Sequence, residues 1–317
     1  MSFFSDVERE LVVTDRVEIA EGIVALDLAS SNGRPLPAWT AGSHIDLVLG
    51  PGRERQYSLC SDPDDRDAWR IAVLREAGGR GGSAAVHALE PGRLVRSRGP
   101  RSHFDFEPPA AGERAVFVAG GIGITPVLPM VRAAAASDAD WSLDYAVRSR
   151  AALPFGDELA AFGDRVRIHV SDEGARIDIE SLVEAAGDAP IWACGPARML
   201  DALTAASTER TRLHVEPFTA GRLPEPVRSE PFEIELLSTG DVLEVPPDRS
   251  ILEVLEENGV LTVSSCREGT CGTCETVVVD GVVDHRDRVL SVSERATSPV
   301  MMVCVSRAAC PRLVLDA

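Results

Sequence analysis

The sequence predicts a three-domain protein: an antiparallel β-barrel, an α/β domain built on a parallel sheet, and a small α+β domain at the C-terminus. Three observations carry this. The first third holds short alternating apolar and polar runs separated by turn residues. The middle alternates continuous apolar runs with glycine turns and helical patterns. The last stretch carries C-x4-C-x2-C and a distant fourth cysteine. At 317 residues the chain is too long for one ordinary core.

Hydrophobic residues at 44% and charged ones at 26% describe a globular protein rather than a disordered one. The net charge of −18 leaves no basic field to collect phosphates, which excludes a nucleic-acid partner. Every basic residue is Arg. Met1 to Glu10 lacks the basic and apolar segments of a secretory signal, so a cytoplasmic monomer with reduced thiols is expected. Ala115 to Val131 runs 17 residues without a charge. It contains Gly120, Gly121, Gly123, Pro126 and Pro129, so it reads as strand, turn and helix, and no membrane span is expected.

Residues 1–107 form the predicted barrel. Val24, Leu26 and Leu28 face one way against Ala25 and Asp27, and Ile45, Leu47 and Leu49 alternate with Asp46 and Val48, as in half-buried antiparallel strands. Ser31-Asn32-Gly33-Arg34-Pro35 and Gly50-Pro51-Gly52 are turns, and Trp69 to Leu74 is a third strand. Arg55-Gln56-Tyr57-Ser58 puts Arg55 and Tyr57 on one side of a strand. A guanidinium grips phosphate and a phenol ring lies along a flat heterocycle, although Tyr on a strand is ordinarily core. Gly78 to Ser83, followed by a helical Ala84 to Leu89, offers backbone amides to an anion, and its bland alternative is a hairpin tip. His44 and His87 are expected to be structural, and His285 to lie in an exposed turn.

Pro108-Pro109-Ala110-Ala111-Gly112 is a linker into a second domain over 108–222. Ala115 to Ala119 is apolar throughout, as for a parallel strand covered on both faces. Gly120-Gly121-Ile122-Gly123-Ile124 is the turn, with Thr125 as helix cap and Pro126 at the first helical position. Pro126 stands where G-x-G-x-x-G requires its third glycine, which argues against that dinucleotide site. Ser142 to Val147, Arg165 to Val170 and Ile191 to Ala193 are further strands, the last entering Cys194-Gly195-Pro196 and a helix over Ala197 to Ala206. Ligands of such sheets bind at the strands' C-terminal ends, where Cys194 falls; a buried apolar cysteine is the alternative. Arg148-Ser149-Arg150 suits the 2′-phosphate of NADPH, whereas an acidic residue there favours NADH.

Val215-Glu216-Pro217-Phe218 leads to a proline-punctuated linker, Thr219 to Pro226, and residues 223–317 form the third domain. Strands Phe232 to Leu237 and Asp241 to Val245 precede a helix, Ile251 to Asn258, ended by Gly259. Thr276 to Val279, Asp280-Gly281 and Val282-Val283 read as a hairpin, and Val300 to Val305 as a buried strand carrying Cys304. The C-x4-C-x2-C-x29-C spacing of Cys266, Cys271, Cys274 and Cys304 is the plant-type pattern for a [2Fe–2S] cluster. Gly269, Thr270, Gly272 and Thr273 are small enough for amides to turn toward the sulfurs. Structural zinc is the alternative, and Cys310 is a rival fourth ligand. From Glu230 to Ala317 there are 16 Asp and Glu against 7 Arg, a net −9.

Taken in order, R-x-Y-S-L, G-x-G-G-S, G-G-I-G-I-T-P, C-G-P and the cysteine pattern resemble the phthalate dioxygenase reductase family over essentially the whole chain. The resemblance implies an FMN-binding barrel, an NAD-binding domain of the ferredoxin-reductase type and a plant-type ferredoxin domain. It implies that Arg55, Gln56, Tyr57 and Ser58 contact the flavin, that Ala72, Val73 and Leu74 line it, and that Gly81, Gly82 and Ser83 close on its phosphate. It implies further that Gly120, Gly121, Ile122, Gly123, Thr125, Pro126, Arg148, Ser149, Cys194, Gly195 and Pro196 form the nucleotide site, with Phe218 over the flavin face. Ser58, Thr125, Cys194 and Phe218 are the expected catalytic set. Electrons would pass from NADH to a terminal oxygenase, a Rieske non-haem iron enzyme or a haem monooxygenase. A free-standing flavin or dye reductase and a zinc-stapled binding module are the competing readings.

Overall fold

The computed structural model describes residues 7–50, 53–78, 81–218, 223, 225–290 and 292–317. They divide into two compact units, Met1–Phe218 and Thr219–Ala317. Pro51, Gly52, Gly79 and Arg80 of the expected turns, and residues 219–222 and 224 of the expected linker, lie outside the described residues.

The first unit opens with β1 (Arg9–Ala20), β2 (Ile23–Ser30), β3 (Ser43–Val48), β4 (Glu54–Ser58), β5 (Ala68–Leu74) and β6 (Leu94–Ser102), followed in space by the helix α1 (Gly82–His87) on β5. The strands run in the order β4-β3-β6-β1-β2-β5, every neighbour antiparallel. A bridge between Leu59 and Ile71 joins the two edges, so the sheet closes on itself. Leu11, Leu26, Leu28, Ile45, Leu47, Trp69 and Ile71 fill its interior. Strand β3 corrects the expectation of a half-buried strand: Asp46 is only 1% exposed and pairs with Arg101 of β6 at 2.6 Å. Strands β1 and β6 were not foreseen, because β6 (LVRSRGPRS) is interrupted by Gly and Pro.

The same unit continues as a parallel sheet. Strands β7 (Arg114–Gly120), β8 (Asp140–Val147), β9 (Val166–Val170), β10 (Ile191–Gly195) and β11 (Leu213–Pro217) lie in the order β11-β10-β7-β8-β9. Helices α2 (Ile124–Ala136), α3 (Gly156–Ala160), α4 (Ile179–Ala186) and α5 (Ala197–Ala206) accompany it. Phe117 and Ala119 face one core with Trp141, Tyr145 and Trp192, while Val116 and Val118 face another with Leu182, Leu200 and Leu203. Burial on both faces explains why β7 is apolar from Ala115 onward, after the exposed Arg114; each large apolar side chain buried there contributes about 1.5–3 kcal/mol. Strand β11, expected only as the approach to a linker, is the polar edge of the sheet. The start of α2 is also corrected. Gly123 is its cap, and the Thr125 hydroxyl donates to the Ile122 carbonyl (3.0 Å) instead of capping.

The second unit contains β12 (Phe232–Leu236), β13 (Val242–Val245), α6 (Ile251–Glu257), β14 (Glu275–Asp280), β15 (Val283–Asp284), α7 (Val292–Thr297), β16 (Val300–Met302), β17 (Arg307–Ala308) and β18 (Arg312–Asp316). Its sheet runs β13-β12-β18-β14-β16, and β15 pairs with β17 apart from it. Ser250 and Glu253 start α6 with reciprocal hydrogen bonds, a capping box. Three expectations fail here. The hairpin after β14 does not pair back on itself: Gly281 packs against Leu313 and Arg312, and β15 crosses to β17. Strand β16 ends at Met302, so Cys304 sits on a turn. His285 is half-buried rather than exposed, its side chain packed beside Asp287. Among the described residues no helix is long and apolar enough to cross a membrane.

Candidate functional site

On the barrel, Arg55 and the glycine turn meet. A Cβ on Gly82 would fall 2.7 Å from Arg55 Cγ and 2.8 Å from its Nε, so the guanidinium stem lies directly on the first residue of α1. Gly81 holds φ 80°, a conformation that favours glycine. Ser83 is held in place by the Glu76 amide, which donates to its hydroxyl at 3.0 Å, and α1 is tied to β5 by His87 Nε2 at 2.9 Å from the Val73 carbonyl. Tyr57 packs on the barrel core, where burial pushes its phenol well above the usual range. Ala72 and Val73 are buried and Leu74 is exposed. Gln56 is not brought to this surface: its amide lies 3.2 Å from His44 Nε2, and Ser58 pairs opposite the same histidine.

At the C-terminal ends of β7 and β10 two turns interlock. A Cβ on Gly123 would sit 2.3 Å from the Cys194 carbonyl oxygen, one on Gly120 would sit 2.5 Å from Pro196 Cδ, and one on Gly195 would lie 3.0 Å from Gly120 Cα. Only hydrogen fits at these positions. The buried Tyr145 hydroxyl donates to the Gly121 carbonyl at 2.9 Å and braces the turn from β8. Ile122, at the apex, packs with Ile23, Cys60 and Ala72 of the barrel domain. Thr125 and Pro126 are buried beneath the turn.

Cys194 is wholly buried, which pushes its thiol up, and lies in register with Glu216 on β11. Glu216 is half-buried as a residue, but its Oε2 is shut from solvent without a partner, and burial raises the carboxyl to about 8. Phe218 follows that strand and is 36% exposed. Arg148 is exposed and Ser149 half-buried. Arg150 makes a bidentate pair with Glu173 at 2.6 and 2.9 Å. The sequence reading missed Tyr145, Glu173 and Glu216; the signal for Glu216 was a lone carboxylate inside a run that became a strand.

In the second unit Cys271, Cys274 and Cys304 are buried and Cys266 half-buried. The Glu268 and Thr270 amides donate to Cys266 Sγ at 3.3 and 3.5 Å, and Gly269 and Gly272 take φ 72° and 73° to turn them inward. The thiols meet pairwise: Cys266 with Cys271 and with Cys304, and Cys274 with Cys304. These contacts pull Cys266 and Cys274 down and push Cys271 and Cys304 up. Contacts that link all four thiols fit a plant-type [2Fe–2S] ligand set, and the C-x4-C-x2-C spacing is not that of paired zinc knuckles. Cys310 is engaged elsewhere, accepting from the Val282 amide at 3.1 Å.

Comparison with known proteins agrees with this arrangement. Residues 234–309 match the family of 2Fe-2S iron-sulfur cluster binding domains. The phthalate 4,5-dioxygenase oxygenase reductase subunit of Pseudomonas putida is 40% identical over 96% of both chains. The solved phthalate dioxygenase reductase, described as a modular structure for electron transfer from pyridine nucleotides to [2Fe-2S], is 34% identical over 98% of both chains with a TM-score of 0.70. Full-length CYP116B46 from Tepidiphilus thermophilus is 46% identical with a TM-score of 0.81; the match takes in 99% of this chain but only 42% of that one. On this evidence of sequence, fold and cysteine geometry, the chain belongs to the phthalate dioxygenase reductase family of oxygenase reductases.

Proposed function

We propose that the chain is the reductase component of a multicomponent oxygenase, passing electrons from NADH through FMN and a [2Fe–2S] cluster to a terminal oxygenase. The carrying observation is the packing of Ile122, in the glycine turn, against the barrel cluster that contains Ala72 of strand β5, which brings the nucleotide turn to the flavin strand. Bound there, FMN supplies the change from two-electron to one-electron transfer, and the cluster supplies single-electron delivery. Arg55 with the Gly81-Gly82-Ser83 turn would clamp the flavin phosphate, and Tyr57 and Phe218 would flank its ring. The Gly120–Gly123 and Cys194–Pro196 turns would receive the nicotinamide, orienting it and excluding water. Cys266, Cys271, Cys274 and Cys304 would hold the irons. The domain limits 1–107, 108–222 and 223–317 go with these roles, as do a monomeric state and a cytoplasmic location.

Preference for NADH is supported by Glu173, which already occupies the Arg150 guanidinium that a 2′-phosphate would need. The likeness to a P450 chain supports a haem monooxygenase acceptor as a second reading beside a Rieske oxygenase. Mass spectrometry of the flavin released from purified protein tests the cofactor assignment. FMN is expected; FAD would contradict the single-phosphate clamp at Arg55.

A further inference from the structure

The sulfurs come from two separate stretches, the loop 266–274 and a turn at Cys304, 30 positions beyond Cys274. A cluster tolerates little drift between its ligands, so something must fix one stretch against the other. We infer that Asp287, which binds no iron itself, is that positioning residue; the inference rests on the [2Fe–2S] reading above.

The Asp287 side chain is 0% exposed, and both of its oxygens are used. Oδ1 accepts from the Val289 and Leu290 amides at 3.0 and 2.9 Å, which locks the turn 287–290. Oδ2 accepts from the Ser306 hydroxyl at 3.3 Å, two residues after Cys304, and Ser306 in turn accepts from the Arg286 amide at 3.2 Å. His285 Nδ1 stands 3.7 Å from the same oxygen. That set of contacts fixes the Cys304 side.

The same turn grips the cysteine loop. The Arg288 amide donates to the Gly269 carbonyl at 2.8 Å. A Cβ on Gly269 would lie 3.1 Å from Asp287 Cα and 2.4 Å from Val305 Cγ2, so the loop, the Asp287 turn and the residue after Cys304 touch at one point. Arg295 closes the turn by donating to the carbonyls of Asp287 and Leu290. The Cys274 end of the loop is tied directly to the other stretch by the β14–β16 pairing, Glu275 opposite Met302, and by the Val303 amide to the Cys274 carbonyl at 3.3 Å, whereas the Cys266 to Gly269 part meets it through the Asp287 turn. A buried carboxylate is suited to this task because it accepts from several donors at once, and losing it would strand those donors in the interior.

The test uses the full chain and compares wild type with Asp287→Ala, Asp287→Asn and Ser306→Ala. The readouts are iron content, the EPR spectrum of the dithionite-reduced protein, and the rate of iron loss to a chelator, with melting temperature measured alongside. Asp287→Ala should lose iron at least roughly ten-fold faster and show altered EPR g-values, the 10–100-fold range seen when outer partners of metal ligands are removed. Asp287→Asn keeps an acceptor for the Val289 and Leu290 amides and should restore most of the iron retention. Ser306→Ala removes the link to Asp287 Oδ2 and the bond from the Arg286 amide but leaves both Oδ1 bonds, and should lie between wild type and Asp287→Ala; this variant carries the test if Asp287→Ala does not fold. Wild-type EPR and chelator resistance in Asp287→Ala and Ser306→Ala, with only the melting temperature lowered, would overturn the inference. Wild-type protein that takes up no iron would instead overturn the cluster reading beneath it.

Discussion

Glu216 and Glu173 act through neighbours that the chain reaches only on folding. Glu216 is held neutral by burial beside Cys194, its carboxyl raised from 4.5 to about 8. The neutral form is therefore favoured when folded. The stability this gives is present below the ordinary carboxylate range and declines as pH rises from about 4.5 toward 8. Glu216→Gln should flatten that decline in a series of melting curves; an unchanged slope would place the pH sensitivity elsewhere. At Glu173 the expected effect is on choice of substrate. Glu173→Gln frees Arg150 and should raise the ratio of NADPH to NADH efficiency by roughly two- to five-fold, the scale of one exposed ion pair, and Arg150→Ala in the same chain should cancel the gain. Steady-state kinetics with both nucleotides decides it. Neither role was legible in the sequence, because Glu216 takes its state from burial in the folded sheet and Glu173 takes its role from Arg150 on another loop. The meeting of Arg55 with the Gly82 turn could be expected from the sequence, since the proposed phosphate clamp would need a guanidinium and a glycine turn whatever lies between them.

At the scale of elements, the two interlocked turns impose the tightest condition in the first unit. Gly123→Ala would drive a methyl into the Cys194 carbonyl, where backbone must shift. It should cost about 1–3 kcal/mol and raise the KM for NADH while bound flavin is retained, a split that flavin content and kinetics read separately. Strands β7 and β10 were readable because burial on both faces leaves an unbroken apolar run, Ala115 to Ala119 and Ile191 to Cys194. Strands β1, β6 and β11 were not, because polar edge positions, a Gly-Pro pair and ion pairs such as Asp46 with Arg101 erase the alternation. The failure of the hairpin after β14 has a similar cause. Asp280-Gly281 has turn chemistry, but the close approach of Gly281 to Leu313 sends the chain across to β17.

For the whole molecule, the acidic third domain, net −9 from Glu230 to Ala317, predicts how the acceptor is met. Steering by opposite charges is screened beyond roughly 10 Å at 0.1 M salt. Association with the cognate oxygenase should slow as salt rises, while NADH oxidation with a neutral artificial acceptor should change little. A salt-independent association rate would point to apolar docking. The order of motifs along the chain revealed the electron path more readily than any one motif, because hydride chemistry, flavin and cluster have meaning only in series. Counting electrons under anaerobic conditions tests that series most directly. Titrated with NADH, the wild-type protein should take up roughly three electrons, two at the flavin and one at the cluster, whereas Cys304→Ser should take up roughly two with its flavin still fully reduced. A wild-type cluster that stays oxidised beside a reduced flavin would contradict the account.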